Sequence, residues 1–307
     1  MDPGRCKKQL KIQVKLKFNI MKTYIIRIIP IILIISTFNF GFAQEETEKK
    51  EDKPVRNPFQ ASTLIESQTI IGSSAKELEM IIHHRFGSMD NGFSDLFGIY
   101  AASNIRLGLQ YGITDKLTVG IGTEKNNKFN DLNAKYSIFE QTRTGSMPVA
   151  LSVHANFTID SRDEELFGTD YEFIDRISYH AQIIVARKFT NSLSLQLAPS
   201  YSHFNAVDTM YHHDKIGLMF GGRFKFTSKM GVIFEYHHPF RINPQHDYQE
   251  EIQPGAALGL EIGTTTHAFQ IFATNYQHIL AQKNYVMNTN KFDSEGILLG
   301  FNITVSF

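Results

Sequence analysis

The chain has one cysteine, Cys6, and no tryptophan among its 307 residues. A lone thiol near the start excludes a disulfide scaffold and thiol chemistry in the body of the protein. No metal, haem or nucleotide motif is present, and no G-x-S-x-G nucleophile context occurs. Beyond residue 43 a basic cluster is missing as well. The first 43 residues hold eight of the 31 Lys and Arg and one of the 31 Asp and Glu, which leaves 23 against 30, a net charge of −7. That balance excludes a nucleic-acid partner.

What the chain does have is alternation. In the last twelve residues Ile297, Leu299, Phe301, Ile303, Val305 and Phe307 share one parity, and Leu298, Gly300, Asn302, Thr304 and Ser306 the other. Successive side chains on a strand point to opposite faces, so this is a ribbon with an apolar and a mostly polar side. The same pattern recurs from 76 to 86, 99 to 113, 117 to 124, 131 to 139, 149 to 159, 176 to 189, 193 to 204, 215 to 226, 230 to 238, 255 to 263 and 267 to 277. Twelve strands result. Three-residue turns at 114–116, 190–192, 227–229 and 264–266, with a longer one at 140–146, alternate with longer links at 87–98, 125–130, 160–175, 205–214, 239–254 and 278–295. Short and long connections in strict alternation predict an all-β, antiparallel up-and-down transmembrane β-barrel, with short periplasmic turns and longer extracellular loops.

Parity then divides the residues. Near the periplasmic rim the apolar face presents Tyr111, Tyr136, Phe189, Phe224, Phe226 and Phe307, and near the outer rim Phe86, Phe157, Tyr179, Tyr201 and Tyr236. Two aromatic girdles are expected of a barrel in lipid. The opposite parity predicts a lumen lined by Glu77, Glu79, His83, Arg85, Arg106, Asp131, Lys135, His154, Arg176, His180, Arg223, Glu235, His237 and Glu261. His84, Arg187, His203, His238 and His267 fall on the apolar side but close to strand ends, where polarity is tolerated. Inward glycines at 108, 112, 120, 122, 217, 221, 231, 255, 259, 263 and 300 leave open volume or let something pack closely on the wall.

Ahead of the barrel, Met21-Lys22, the apolar run 25–35 and Gly41-Phe42-Ala43 have the parts of a secretory signal peptide. Residues 1–43 are thus a leader with cleavage expected after Ala43, Met21 being an alternative start. A membrane-anchor helix over Tyr24 to Ala43 is the rival reading, interrupted by Arg27 and Pro30. Residues 44–60, charged and proline-containing, are expected to be a disordered periplasmic linker. The strand-like 61–75 would make an odd thirteenth strand, so it is assigned to the lumen or the periplasmic mouth.

The runs RNPFQASTLIESQTI, HHRFG, LGLQYGITDKLTVGIG and FNITVSF resemble a family of uncharacterised outer-membrane β-barrel proteins of Bacteroidota, known as a domain of unknown function, over roughly 55–307. The resemblance implies a barrel in the outer membrane of a Gram-negative bacterium and brings no catalytic or binding residues with it.

Three function classes follow. A passive or weakly selective channel for small polar solutes is the first. A non-conducting structural or docking barrel of an envelope complex is the second. The third is an outer-membrane lipid hydrolase: the outward face offers His84, His203, His238 and His267 with few serines, Ser103 among them, and parity sets Ser152 and His154 together on the inward face. No cofactor is expected, and solvated loop histidines are favoured over a metal site at His212 and His213 with His203, His246 or His278. The expected partners are the lipid bilayer and the outer-membrane assembly machinery, met through the strand ending in Phe307.

Overall fold

The computed structural model describes residues 52–56, 58–90, 92–242 and 251–307. The leader, its cleavage site, residues 44–51 and His246 lie outside them. Twelve strands form one closed antiparallel barrel in which each pairs with its neighbours in sequence and the first closes on the last. They are β1 (Leu78–Ser88), β2 (Asn104–Gly112), β3 (Leu117–Glu124), β4 (Phe129–Phe139), β5 (Ala150–Asp160), β6 (Ile177–Lys188), β7 (Leu193–Phe204), β8 (Asp214–Lys225), β9 (Met230–Phe240), β10 (Gly255–Gly263), β11 (His267–Thr274) and β12 (Leu298–Ser306). A short α-helix, α1 (Ala281–Met287), the only one among the described residues, interrupts the link between β11 and β12.

The period-two sequence sets the register. On β2, Asn104, Arg106 and Gln110 are buried while Leu107, Leu109 and Tyr111 are exposed. A slip of one residue would turn Arg106 and Gln110 to lipid. Across the seam, Met80 faces Val305, Ile82 faces Ile303 and His84 faces Phe301, whose rings stack with centroids 4.7 Å apart.

The four three-residue turns share one device. Each begins with threonine, whose hydroxyl accepts the backbone N–H that opens the next strand: Leu117 to Thr114 at 3.0 Å, Leu193 to Thr190 at 3.0 Å, Met230 to Thr227 at 2.9 Å and His267 to Thr264 at 3.0 Å. A side-chain acceptor at that position holds a tight turn without glycine.

Two expected strands are shorter than their alternation. Residues 99–103 belong to the outer link, because the backbone folds back at Gly98 (φ +86°) and the Gly87 N–H donates to the Gly98 carbonyl. Residues 275–277 leave the wall after Thr274 as the Asn275 amide donates to the Pro254 and Asn290 carbonyls.

Ile271 on β11 is 65% exposed between Leu260 and Phe301. Arginine there should cost about 2–4 kcal/mol at mid-membrane depth, whereas at His267, beside the turn, the cost should be about 0–1 kcal/mol. Urea unfolding of both variants in phospholipid vesicles checks the difference. Equal losses would place Ile271 away from acyl chains.

Candidate functional site

Charged and polar side chains on the inner wall need partners, because a buried ion or donor without one is costly. Some find them on neighbouring strands. Arg106 on β2 grips Asp131 on β4 at 2.7 and 2.8 Å, and Arg223 on β8 reaches Glu261 on β10 at 2.5 Å. Others are met by two segments that enter the lumen.

The first segment is 59–71. Its Phe59, Leu64, Ile65 and Ile70 are buried against Ile184, Ala198, Met219, Ile233 and Phe272 of the wall. A tight turn, closed by Leu64 N–H to Ser67 O at 2.8 Å, presents three successive N–H groups to one carboxylate. Ile65, Glu66 and Ser67 donate to Glu235 at 2.9, 3.0 and 2.9 Å, and His237 Nε2 lies 2.5 Å from the same group. Consecutive amides of this kind form an anion-binding nest. Glu66 reaches back to Arg85 at 2.7 Å, and Ser62 donates to Glu79. Lys135 donates to the Ser62 and Ile71 carbonyls at 3.0 and 2.6 Å, and Asn302 to that of Ile65 at 2.8 Å. No ladder hydrogen bond of the wall passes through this segment.

The second is the β11–β12 link. Tyr276 and Tyr285 are buried beside His237, with ring centroids 4.8 and 5.0 Å away. Gln282 of α1 donates to Asn156 and Thr158 of β5 at 3.0 and 2.7 Å. Lys283 donates to Asn127 at 2.5 Å and lies over the Phe129 ring; burial lowers its ammonium to about 8. A smaller apolar cluster, Phe129, Phe204, Leu280 and Val286, closes around it.

Of the residues expected on the lumen wall, twelve lie on strands with their side chains buried. Two do not. Glu77 precedes β1 and accepts the Ser74 N–H at 2.8 Å, capping the turn by which the chain enters the wall. Arg176 ends a 3-10 turn before β6, where Tyr171 and the Asp160 carbonyl hold it and the Phe167 ring lies 4.9 Å away. In both cases the alternation runs past the point where the backbone leaves the sheet.

The girdle aromatics are exposed, Phe307 most of all at 72%, except Phe86, which is half-buried against Phe301. Phe189 and Phe226 sit just past strand ends, in the turns.

The 44–60 stretch is partly tied down. Pro54 bridges to Thr142, Val55 donates to the Gln141 carbonyl at 2.8 Å, and Thr144 and Ser146 both donate to Asp52, holding its carboxyl below the usual range. The 140–146 turn is longer than the others and supplies this edge, so residues 52–56 are not a free linker.

Ser152 is fully buried and bonds Ser137 at 3.4 Å, and His154, two residues further along the same face of β5, is buried as well, so neither reaches the lipid-facing surface. His203 binds Asp214 at 2.7 Å, His213 binds the Phe204 carbonyl, and His278 is half-buried, its backbone N–H donating to Asn284 Oδ1 at 2.9 Å. Among the described residues no cluster of three metal-ligating side chains forms.

Sequence reasoning missed α1 and the inward tyrosines. The only sign of them was inward glycine on facing strands.

A family model described as a membrane-bound β-barrel domain, DUF5777, matches residues 59–307, so the match includes the first inward segment. No curated protein matches the chain. Among solved structures, the COG4313 outer membrane channel from Pseudomonas putida F1 aligns with a TM-score of 0.50 at 11% identity, over 77% of this chain and 97% of that one. The KdgM porin aligns at 0.47 and 10% identity, over 74% and 99%. The NanC porin aligns at 0.44 and 12%, over 75% and 98%. At such identities the likeness concerns the fold alone. The closed barrel with its apolar outer face and the family match place the chain in the outer membrane of a Gram-negative bacterium.

Proposed function

We propose that this chain, which belongs to the DUF5777 family of membrane-bound β-barrel domains, is a gated passage for small polar solutes, held shut by residues 59–71 and by the β11–β12 link. The observation that carries the reading is how the first segment is held. Its backbone is bound by wall side chains, so its withdrawal would leave all twelve strand pairings intact. A twelve-stranded wall is wider than the eight strands that side chains fill by themselves and narrower than the 16 to 18 of open porins. Emptied of both segments, such a lumen would be polar and narrow. The exposed Phe307 is the expected contact for the assembly machinery.

The filled lumen, together with the pairing of 52–56 to the 140–146 turn, favours a second reading, a non-conducting docking barrel. The two readings separate in planar bilayers. A barrel lacking residues 59–71, and with 276–295 replaced by a short turn, should conduct steadily while the intact chain stays almost closed. If the emptied barrel folds, as judged by heat-modifiable migration and β-sheet dichroism, yet passes no current, the docking reading holds.

A further inference from the structure

On the outer face of β4 to β7 the alternation keeps its parity but loses its bulk. Ala134, Ala155 and Ala181 are exposed and stand opposite one another on adjoining strands, and their row ends on Tyr201. Two residues nearer the outer rim, Leu132, Phe157, Tyr179 and His203 form the next row, and two residues nearer the periplasm come Tyr136, Val153 and Ile183. The small row is the floor of a trough between two banks. Recesses of about 400 and 500 Å³ meet in it, each lined by Ala134, Ala155, Ala181 and Tyr201. Elsewhere the lipid-facing wall is filled by residues such as Ile121, Leu258 and Ile271.

The outer bank is held in place. Tyr201 donates its hydroxyl to Asp214 at 2.5 Å, His203 lies 2.7 Å from the same carboxylate and 3.0 Å from Asn205 Oδ1, and the Tyr179 ring stacks on His203 with centroids 4.8 Å apart. Rings fixed in this way lose little freedom when something lies against them. The trough also slopes. Ala134 and Ala155 stand five residues from the periplasmic ends of their strands, Phe139 and Ala150, whereas Ala181 stands seven from Lys188 and Tyr201 eight from Leu193. Its Tyr201 end is thus closer to the outer rim, where a hydroxyl, an imidazole and a carboxylate are gathered beside the ends of β7 and β8.

One face of a strand repeats every two residues, about 7 Å, so the floor is a single row wide, and four adjoining strands make it about 14 Å long. An extended hydrocarbon chain has that shape. The convex wall of a second barrel would touch the banks before it reached the floor. Among lipid tails burial brings no hydrophobic gain, so a chain is held there by close contact with the walls.

We propose that the trough binds one acyl chain of a single membrane lipid, whose polar head lies by Tyr201, His203 and Asp214 and whose tail runs down toward Tyr136. The site belongs to the lipid-facing surface and does not depend on whether the lumen opens.

Native mass spectrometry of the purified full-length barrel in detergent, titrated with dioleoylphosphatidylethanolamine, tests the site. One lipid should bind at least tenfold more tightly than those that follow. Ala155→Phe and Ala181→Phe should each abolish that first step by filling the floor, while Ala273→Phe, on the outward side of β11, should leave it unchanged. All three exchange one apolar residue for another on a surface facing acyl chains, so heat-modifiable migration should be kept. Tyr179→Ala lowers the bank without filling the floor and should weaken the first step at least fivefold. Equal affinity for every lipid bound, a first step lost as readily in Ala273→Phe, or one that none of the trough variants alters would overturn the proposal, the contact then being that of any bilayer lipid. Dimers that come apart in Ala155→Phe would overturn it as well, by making the trough a contact between copies of the chain.

Discussion

Glu235→Leu should release residues 59–71 from the lumen. The carboxylate accepts three consecutive N–H groups at 2.9–3.0 Å in a buried setting, where Glu235 is 2% exposed. Leucine fills similar space and accepts nothing, so three amides would be left without partners inside the barrel. A buried donor in that condition costs about 1–3 kcal/mol, and hydrogen bonds to a charged group contribute about 1.5–3 kcal/mol each. Out of the lumen, water satisfies the same amides. Taking about 4 kcal/mol as the net change, the ratio of withdrawn to inserted segment rises about a thousandfold, since each 1.4 kcal/mol is a factor of ten. Glu235→Gln keeps an acceptor oxygen and should have a much smaller effect. The chain has no cysteine after Cys6, so Ile65→Cys, at a position with 0% exposure, reports directly through a membrane-impermeant maleimide in proteoliposomes. Fast labelling is expected only when Glu235→Leu is also present. The idea fails if the labelling rate is the same with Glu235 and with leucine at that position.

Much of the wall was legible because its rules are local. Alternation needs only two residues to repeat, and threonine at 114, 190, 227 and 264 marks each short turn within its own three residues. Strand ends were read less well. Ile99 and Ala101 keep the alternating pattern, yet Gly98 has already turned the backbone out of the sheet. What fills the barrel follows no local rule. ASTLIESQTII alternates as a strand would, but its amides are claimed by Glu235, 168 to 170 residues further along. Period two assigns Glu235 to one face and says nothing of what that carboxylate holds. The seven residues of α1 are too few to form a stable helix alone, so packing inside the lumen shapes them, and their sequence carries no signal of it.

The same long-range logic governs the outer segment, where the informative residues are two glycines. A Cβ at Gly217 would stand 2.2 Å from the Tyr285 ring, and one at Gly255 would stand 1.9 Å from the Tyr276 ring. Neither ring has room to retreat, for Tyr276 is 0% and Tyr285 1% exposed. A leucine at either position therefore cannot share the lumen with its tyrosine. Each leucine would put its branched side chain where a ring already stands, an overlap beyond what the small shifts of ordinary overpacking absorb, and the link relieves it by swinging out. The wall itself should persist, because residues 275–297 add no strand to it. Gly217→Leu and Gly255→Leu together should speed amide exchange at 281–287 by at least a hundredfold while leaving exchange on β5 to β8 unchanged. Tyr285→Ala should relieve Gly217→Leu by vacating the space. With both obstacles in series, current requires both to move. Glu235→Leu alone and the glycine pair alone should each give brief openings, and the three substitutions combined a sustained conductance. If the glycine variants leave 281–287 protected, the tyrosines are not what seats the link, and the outer obstacle must be held by Gln282 and Lys283 instead.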